Sequence, residues 1–214
     1  MTWAIENIEM ILELVVRHVW LSAVPILIGF VLALPVGWFA HRHPRLRGTL
    51  LGTGSVLYTI PSLPLFVIMP GIIGTGFLSP LNVLIALSIY AVAIMVRSAS
   101  DAFAAVPAAV IDAARAAGYS PRQLVLRVQL PLAGPVLLAG LRVVSVSTVS
   151  LVSVGSLIGV TSLGTLFTDG FSRGFTTEIV VGVVATVVVA VVFDLLLVLS
   201  GRALLPWTRA GASR

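Results

Sequence analysis

Five apolar runs, over residues 19–40, 50–70, 81–96, 132–160 and 179–199, each with at most one charged side chain, constrain this chain more than anything else in it. A helix needs about 20 apolar residues to cross a hydrocarbon core of about 30 Å. Lipid offers the backbone no hydrogen-bond partner, so runs of this length have to satisfy their amides internally, as helices do. The third run is short for a span and the fourth is long enough to tilt. With 58% hydrophobic residues, 10% charged residues and a mean hydropathy of +1.12, the composition cannot furnish a water-soluble surface. The expectation is an all-α polytopic membrane protein, one domain over residues 1–214 with about five core spans and no room for a soluble catalytic domain.

The basic residues orient it. All thirteen are Arg, and none is Lys. Under five spans, Arg42, Arg45, Arg47, Arg97, Arg115, Arg122, Arg127, Arg142, Arg202, Arg209 and Arg214 fall on one side, against Arg17 and Arg173 on the other. The positive-inside rule then puts the N-terminus outside, the C-terminal tail (201–214) inside and the segment 101–131 in the cytoplasm. Arginine confined to membrane-edge loops does not form the basic stripe that tracks nucleic acid. With no Cys the chain offers no disulfide and no thiolate. The opening "MTWAIENIEM" carries acids where a secretory signal carries positive charge, so no cleaved signal is expected. Over residues 1–18, Glu6, Glu9, Glu13 and Arg17 recur at helical spacing, which predicts a helix lying near the outer interface with its charged face solvated.

The segment "DAARAAGYSPRQLVLRVQLP", residues 112–131, is written with more care than a connecting loop requires. Pro107 suits the first turn of a helix running through Ala117, and Gly118 stands where a left-handed residue ends one. Ser120, Pro121 and Gln123 then read as a capping box opening a second helix. Val110, Ala113, Ala114 and Ala117 make a small, smooth face, while Asp112 and Arg115 pair on another. Such a face suits docking in a partner's groove; on periodicity alone a helix resting on the inner leaflet fits as well.

Asp112, Ala113, Ala114, Gly118, Val128, Leu130 and Pro131 keep every spacing of the EAA loop of bacterial ABC importer permeases, with Asp for Glu and Val for Ile. The chain resembles that family. A second likeness lies in "YTIPSLPLFVIMPGIIGTG" (58–76), with "AGLR" (139–142) and "GSLIG" (155–159), and is to the branch carrying glycine betaine, choline, carnitine and similar osmoprotectants. The chain departs from it at 159–164, where "GVTSLG" replaces a glycine-rich turn. The resemblance implies a type I importer permease in the bacterial inner membrane, surrounded by lipid. It also implies a coupling helix docked on separate ABC ATPase subunits, a second permease chain, identical or homologous, and an extracytoplasmic substrate-binding protein. Two other readings stand beside it: a permease for methionine or another amino acid, and an ATP-independent channel or secondary carrier.

Candidate path residues come from two spans. Pro61, Pro64 and Pro70 lack amide hydrogens and crowd the preceding turn, so the second span should be kinked or unwound. Tyr58, Thr59, Pro61 and Ser62 then face the bundle interior or the path, since irregular backbone at membrane depth is tolerated only there; a purely structural kink is the alternative. On the fourth span Arg142, Ser145, Thr148, Ser153 and Ser156 share an arc of roughly 140° at 100° per residue, with Ser147 and Ser150 outside it. The arc suits a path lining or hydroxyl packing between spans. Asp194, an acid inside an apolar run, calls for a cation at its own depth; Arg142 fits, with Arg97 as competitor. With no Lys there is no ATP-binding P-loop, and His18, His41 and His43 do not make a metal set. No catalytic residue, cofactor or metal is expected on this chain.

Overall fold

The computed structural model describes residues 2–207. A short helix α1 (Thr2–Glu6) leads into α2 (Ile8–Arg42), α3 (Pro44–Thr59), α4 (Ser62–Ile73), α5 (Pro80–Ala104) and α6 (Ala108–Ala116). One turn, α7 (Pro121–Gln123), continues through π-helical turns (Leu124–Gln129) into α8 (Leu130–Val152), which tightens into 3₁₀ turns over Ser153–Ile158. Helices α9 (Thr165–Ser172) and α10 (Thr176–Leu204) complete the described chain. Among the described residues four helices are long and apolar enough to cross a membrane, namely α2, α5, the composite Pro121–Ile158 and α10. Helices α3 and α4 make a fifth span only as a bent pair.

That pair covers the span expected over 50–70 to be kinked or unwound, and it breaks at one of the three prolines. Its axes meet at 101° across a break at Ile60 and Pro61. The Pro61 ring forces Ile60 out of helical conformation, to φ −63° and ψ 127°. Pro64 lies in the first turn of α4, where a missing amide costs nothing, and α4 runs through Pro70 to Gly74, which ends it at φ +73°.

The N-terminal segment differs. The stretch expected to be one interfacial helix over 1–18 is divided between α1 and the start of α2, and Ile8–Arg42 is one helix of 35 residues, about 52 Å long. Ile11, Leu14 and His18, spaced by three and four, are buried, so one face of this stretch packs on the fold, while Glu6, Glu9, Glu13 and Arg17 are exposed. Leu14 joins Val149, Leu163, Leu166 and Val189, Trp3 meets Phe175 edge-on at 5.4 Å, and the His18 Nε2–H donates to the Val149 carbonyl (3.0 Å). The tail expected over 201–214 is described only to Trp207; Arg209 and Arg214 lie outside the described residues.

Helix α5 is the hub, packed on α2, α3, α4 and α8. Its contact with α2 is a seam of small residues: Gly29, Ala33 and Gly37, one turn apart, lie against Ala91 and Ala99. A methyl group at Gly37 would stand 2.4 Å from the Ala99 Cβ and 2.9 Å from the Ser100 amide nitrogen, so glycine is what lets the backbones approach.

Candidate coupling corner and transport path

Sequence-local chemistry builds the corner between α6 and α7. Gly118 has φ +84°, the left-handed region that glycine enters without a Cβ penalty. The Tyr119 N–H donates to the Ala114 carbonyl (3.1 Å) and the Gly118 N–H to the Arg115 carbonyl (3.0 Å), both bonds of a Schellman motif. Two residues on, the Ser120 N–H donates to Gln123 Oε1 (2.8 Å) and the Gln123 N–H to Ser120 Oγ (3.4 Å), a complete capping box. One helix is thus closed and the next opened within six residues.

Helix α6 is carried on the surface. None of its residues is buried; Val110, Ala113 and Ala117 are exposed, and Asp112 accepts from Arg115 Nη1 at 3.0 Å. Half-buried Ile111 roots it in the cluster of Val106, Ala133 and Leu137. Val128, Leu130 and Pro131, half-buried, lie away from that face, where the π-helical turns pass into α8. Of the seven loop residues, then, Asp112, Ala113, Ala114 and Gly118 form the presented corner, and the other three form its root. The wide turns have a local cause: Pro131 offers no amide to the Arg127 carbonyl, and the Leu130 N–H bonds to Val125 O, five residues back.

Two ties that no local pattern reveals brace the corner. Trp38 Nε1–H on α2 donates to Gln129 Oε1 (3.2 Å), and Arg47 on α3 pairs with Asp101 near the end of α5 (2.8 Å). The only sequence signal for either was an aromatic or charged residue near a span end.

At the break between α3 and α4, Tyr58, Thr59 and Pro61 are exposed and Ser62 is half-buried. Thr59 Oγ1 turns back to the Val56 carbonyl (2.7 Å). The Ile60 carbonyl, released by the break, accepts from the hydroxyl of buried Tyr90 (2.5 Å), whose ring meets Tyr58 edge-on at 5.7 Å. Tyr90, thirty residues away, was not singled out in the sequence.

Burial divides the hydroxyl arc of the fourth span. Ser145 and Thr148 are buried inside this chain, packed as between-helix hydroxyls and not open to a path. Past Val152 the 3₁₀ turns advance about 120° per residue, which brings Ser153 and Ser156 into line with each other about 40° from Arg142 and widens the arc to about 160°; the Ser156 hydroxyl donates to the Ser153 carbonyl (2.8 Å). Ser147, half-buried, and Ser150, exposed, share the open side with Arg142 instead. Arg142 grips Asp194 with two bonds, Nε to Oδ1 at 2.6 Å and Nη2 to Oδ2 at 2.8 Å, the fork geometry that suits a carboxylate. Arg97 donates to Ser55 Oγ (3.0 Å).

In "GVTSLG", Ser162 supplies the turn through its side chain. Its buried Oγ accepts from the Gly164 N–H (3.1 Å), and its own N–H donates to Thr165 Oγ1 (3.1 Å). Gly164 rests on the Ser153 carbonyl, where a Cβ would lie 2.2 Å from the oxygen.

A bundle of membrane-length helices with a capped corner on the loop between two of them defines a polytopic membrane subunit. The chain belongs to the family of binding-protein-dependent transport system inner membrane components, whose model matches residues 22–210; it is a non-catalytic membrane subunit. The osmoprotectant import permease protein OsmW of Salmonella typhimurium is 28% identical over 198 residues, 91% of this chain and 92% of that protein. The glycine betaine/carnitine/choline transport system permease protein OpuCD of Bacillus subtilis is 27% identical over 206 residues, 96% of this chain and 89% of that one. Among solved structures, the inward-facing MetNI methionine ABC transporter matches with a TM-score of 0.76 at 22% identity, over 94% of this chain and 97% of that chain. At that identity the likeness concerns the fold alone, which is that of a type I importer permease.

Proposed function

We propose that this chain forms the translocation path of an ATP-driven importer for osmoprotectants, small quaternary amines of the glycine betaine, choline and carnitine kind. The observation that carries the reading is the likeness, along nearly the whole of both chains, to permeases named for those compounds. The methionine transporter shares the architecture, not enough sequence to bring its substrate along.

In this reading α6 docks in a groove on a cytoplasmic ABC ATPase subunit, with Asp112, Ala113, Ala114 and Gly118 at the contact. Val128, Leu130 and Pro131 carry its displacement into α8. A push on α6 reaches α5 through Val106 and Pro107, and α5 touches most of the bundle, so a local displacement moves spans and not just a loop. Nucleotide at the partner then shifts the population between outward- and inward-open states. The N-terminus lies outside and α6 inside. A second permease chain encloses the path, and an extracytoplasmic binding protein delivers the cargo.

The test is uptake into vesicles holding this chain purified with its genomic neighbours, using labelled glycine betaine, choline, carnitine and methionine, with and without ATP. ATP-dependent accumulation of a quaternary amine is expected. Methionine uptake alone would overturn the substrate class, and accumulation by this chain without an ATPase would overturn the mechanism.

A further inference from the structure

Arg142 and Asp194 occupy a place that lipid does not suit. Asp194 stands ten residues, about 15 Å, short of Leu204 at the end of α10, and Arg142 twelve residues, about 18 Å, into α8, so the pair lies several turns inside two helices of membrane-crossing length, deep relative to a hydrocarbon core of about 30 Å. It nevertheless lies open on the outside of this chain, with side chains 45% and 29% exposed. Charges at such depth face protein or a water-filled cavity. A cavity of about 430 Å³ opens there, lined by the pair with Ala139, Val143, Val146 and Ser147. One further turn along α8 the same side carries Ser150, also exposed. Helix α10 exposes valine and leucine all round, Val187 and Val191 beside Asp194 as well as Val188, Val192 and Leu199 opposite it, each about half exposed, so on this helix Asp194 alone breaks the apolar surface. What sets one side apart is α8, where Arg142, Ser147 and Ser150 gather around Asp194.

We infer that the side of α8 bearing Arg142, Val146, Ser147 and Ser150, together with Asp194, is this chain's wall of the transport path. Ser145 and Thr148 behind it are packing. The inference rests on the permease reading above, with the opposite wall supplied by the second chain. The pairing has a consequence for a cationic cargo: the only acid on this wall is already held by a guanidinium, so a quaternary ammonium meets a neutral fork and two hydroxyls, and passes without capture. Removing the guanidinium leaves a bare carboxylate at that depth, where it attracts the cation and delays its release.

The chain contains no cysteine, so single replacements report directly. In the assembled transporter, Ser147→Cys and Ser150→Cys are expected to react with a membrane-impermeant methanethiosulfonate at least about tenfold faster than Val188→Cys and Val192→Cys, because only a hydrated thiol ionises. Equal, slow labelling at all four overturns the wall. Arg142→Gln is expected to slow choline uptake and to raise choline binding by the permease, whereas the swap Arg142→Asp with Asp194→Arg restores uptake. Wild-type uptake in Arg142→Gln, in a transporter that assembles normally, overturns the role of the pair. Fast labelling of both serines that no quaternary amine slows keeps the wall and overturns the substrate reading, so the two failures are distinguishable.

Discussion

Gly118→Ala isolates the coupling corner better than a truncation would. At φ +84° an added Cβ meets no atom within 4 Å, so the penalty is conformational and not a clash. Holding an ordinary L-residue left-handed costs roughly 1–2 kcal/mol. Helix α6 has no buried residue with which to resist, so in the free permease the corner relaxes and its two Schellman bonds open. Docking then has to restore the strained form, and the full strain appears as lost affinity, a factor of about 5–30. Titrating the ATPase subunit onto the permease in nanodiscs reads that factor, and substrate-stimulated ATP hydrolysis at saturating ATPase reads what remains. Gly118→Asn should lose less, since Asn tolerates the left-handed region, and β-branched Gly118→Val should lose more. Gly52→Ala, in α3 with nothing within 4 Å and no positive φ, is the control and should bind like wild type. Wild-type affinity and coupling in Gly118→Val, or equal damage from Gly52→Ala, would refute the argument.

Two further outcomes concern the frame that carries the corner. Gly37→Ala puts a methyl group 2.4 Å from the Ala99 Cβ and 2.9 Å from backbone, so α2 and α5 must part, at a cost of about 1–3 kcal/mol; Gly201→Ala meets at 2.2 Å only the tip of Leu138, which can rotate, and should unfold in mixed micelles much like wild type. Equal stability of the two variants would show that the seam is not tight. Tyr90→Phe leaves the Ile60 carbonyl without its donor and should destabilise the bundle by about 1–3 kcal/mol, seen as a lower melting temperature and faster proteolysis near Pro61; an unchanged melting curve would mean that another donor takes over.

Much of the architecture was legible because its causes are local. Run length gives spans in a solvent with no backbone partners. Gly118 and the Ser120–Gln123 box write their own corner because each bond reaches no more than five residues. Pro61 drives its neighbour Ile60 out of the helical region by a steric contact between adjacent residues. The carboxylate of Asp194 asked for a cation at its own depth, and charge together with depth pointed to Arg142. What sequence could not supply were properties decided between distant residues. Periodicity groups Arg142 with Ser145 and Thr148, yet which side of α8 is covered depends on how α2 and α5 sit against it. Packing turned Ser145 and Thr148 inward and left Ser147 and Ser150 open. Likewise the charged spacing over residues 1–18 marks an exposed face, but only Val149 and Leu163 beside Leu14, and the Val149 carbonyl beside His18, make the other face core. Composition and short-range bonding determine that this chain crosses a membrane and shows a capped helix at one side. Which surface meets lipid and which meets water is decided by the packing of helices far apart in the chain, because a helix has no inside until a neighbour covers one of its faces.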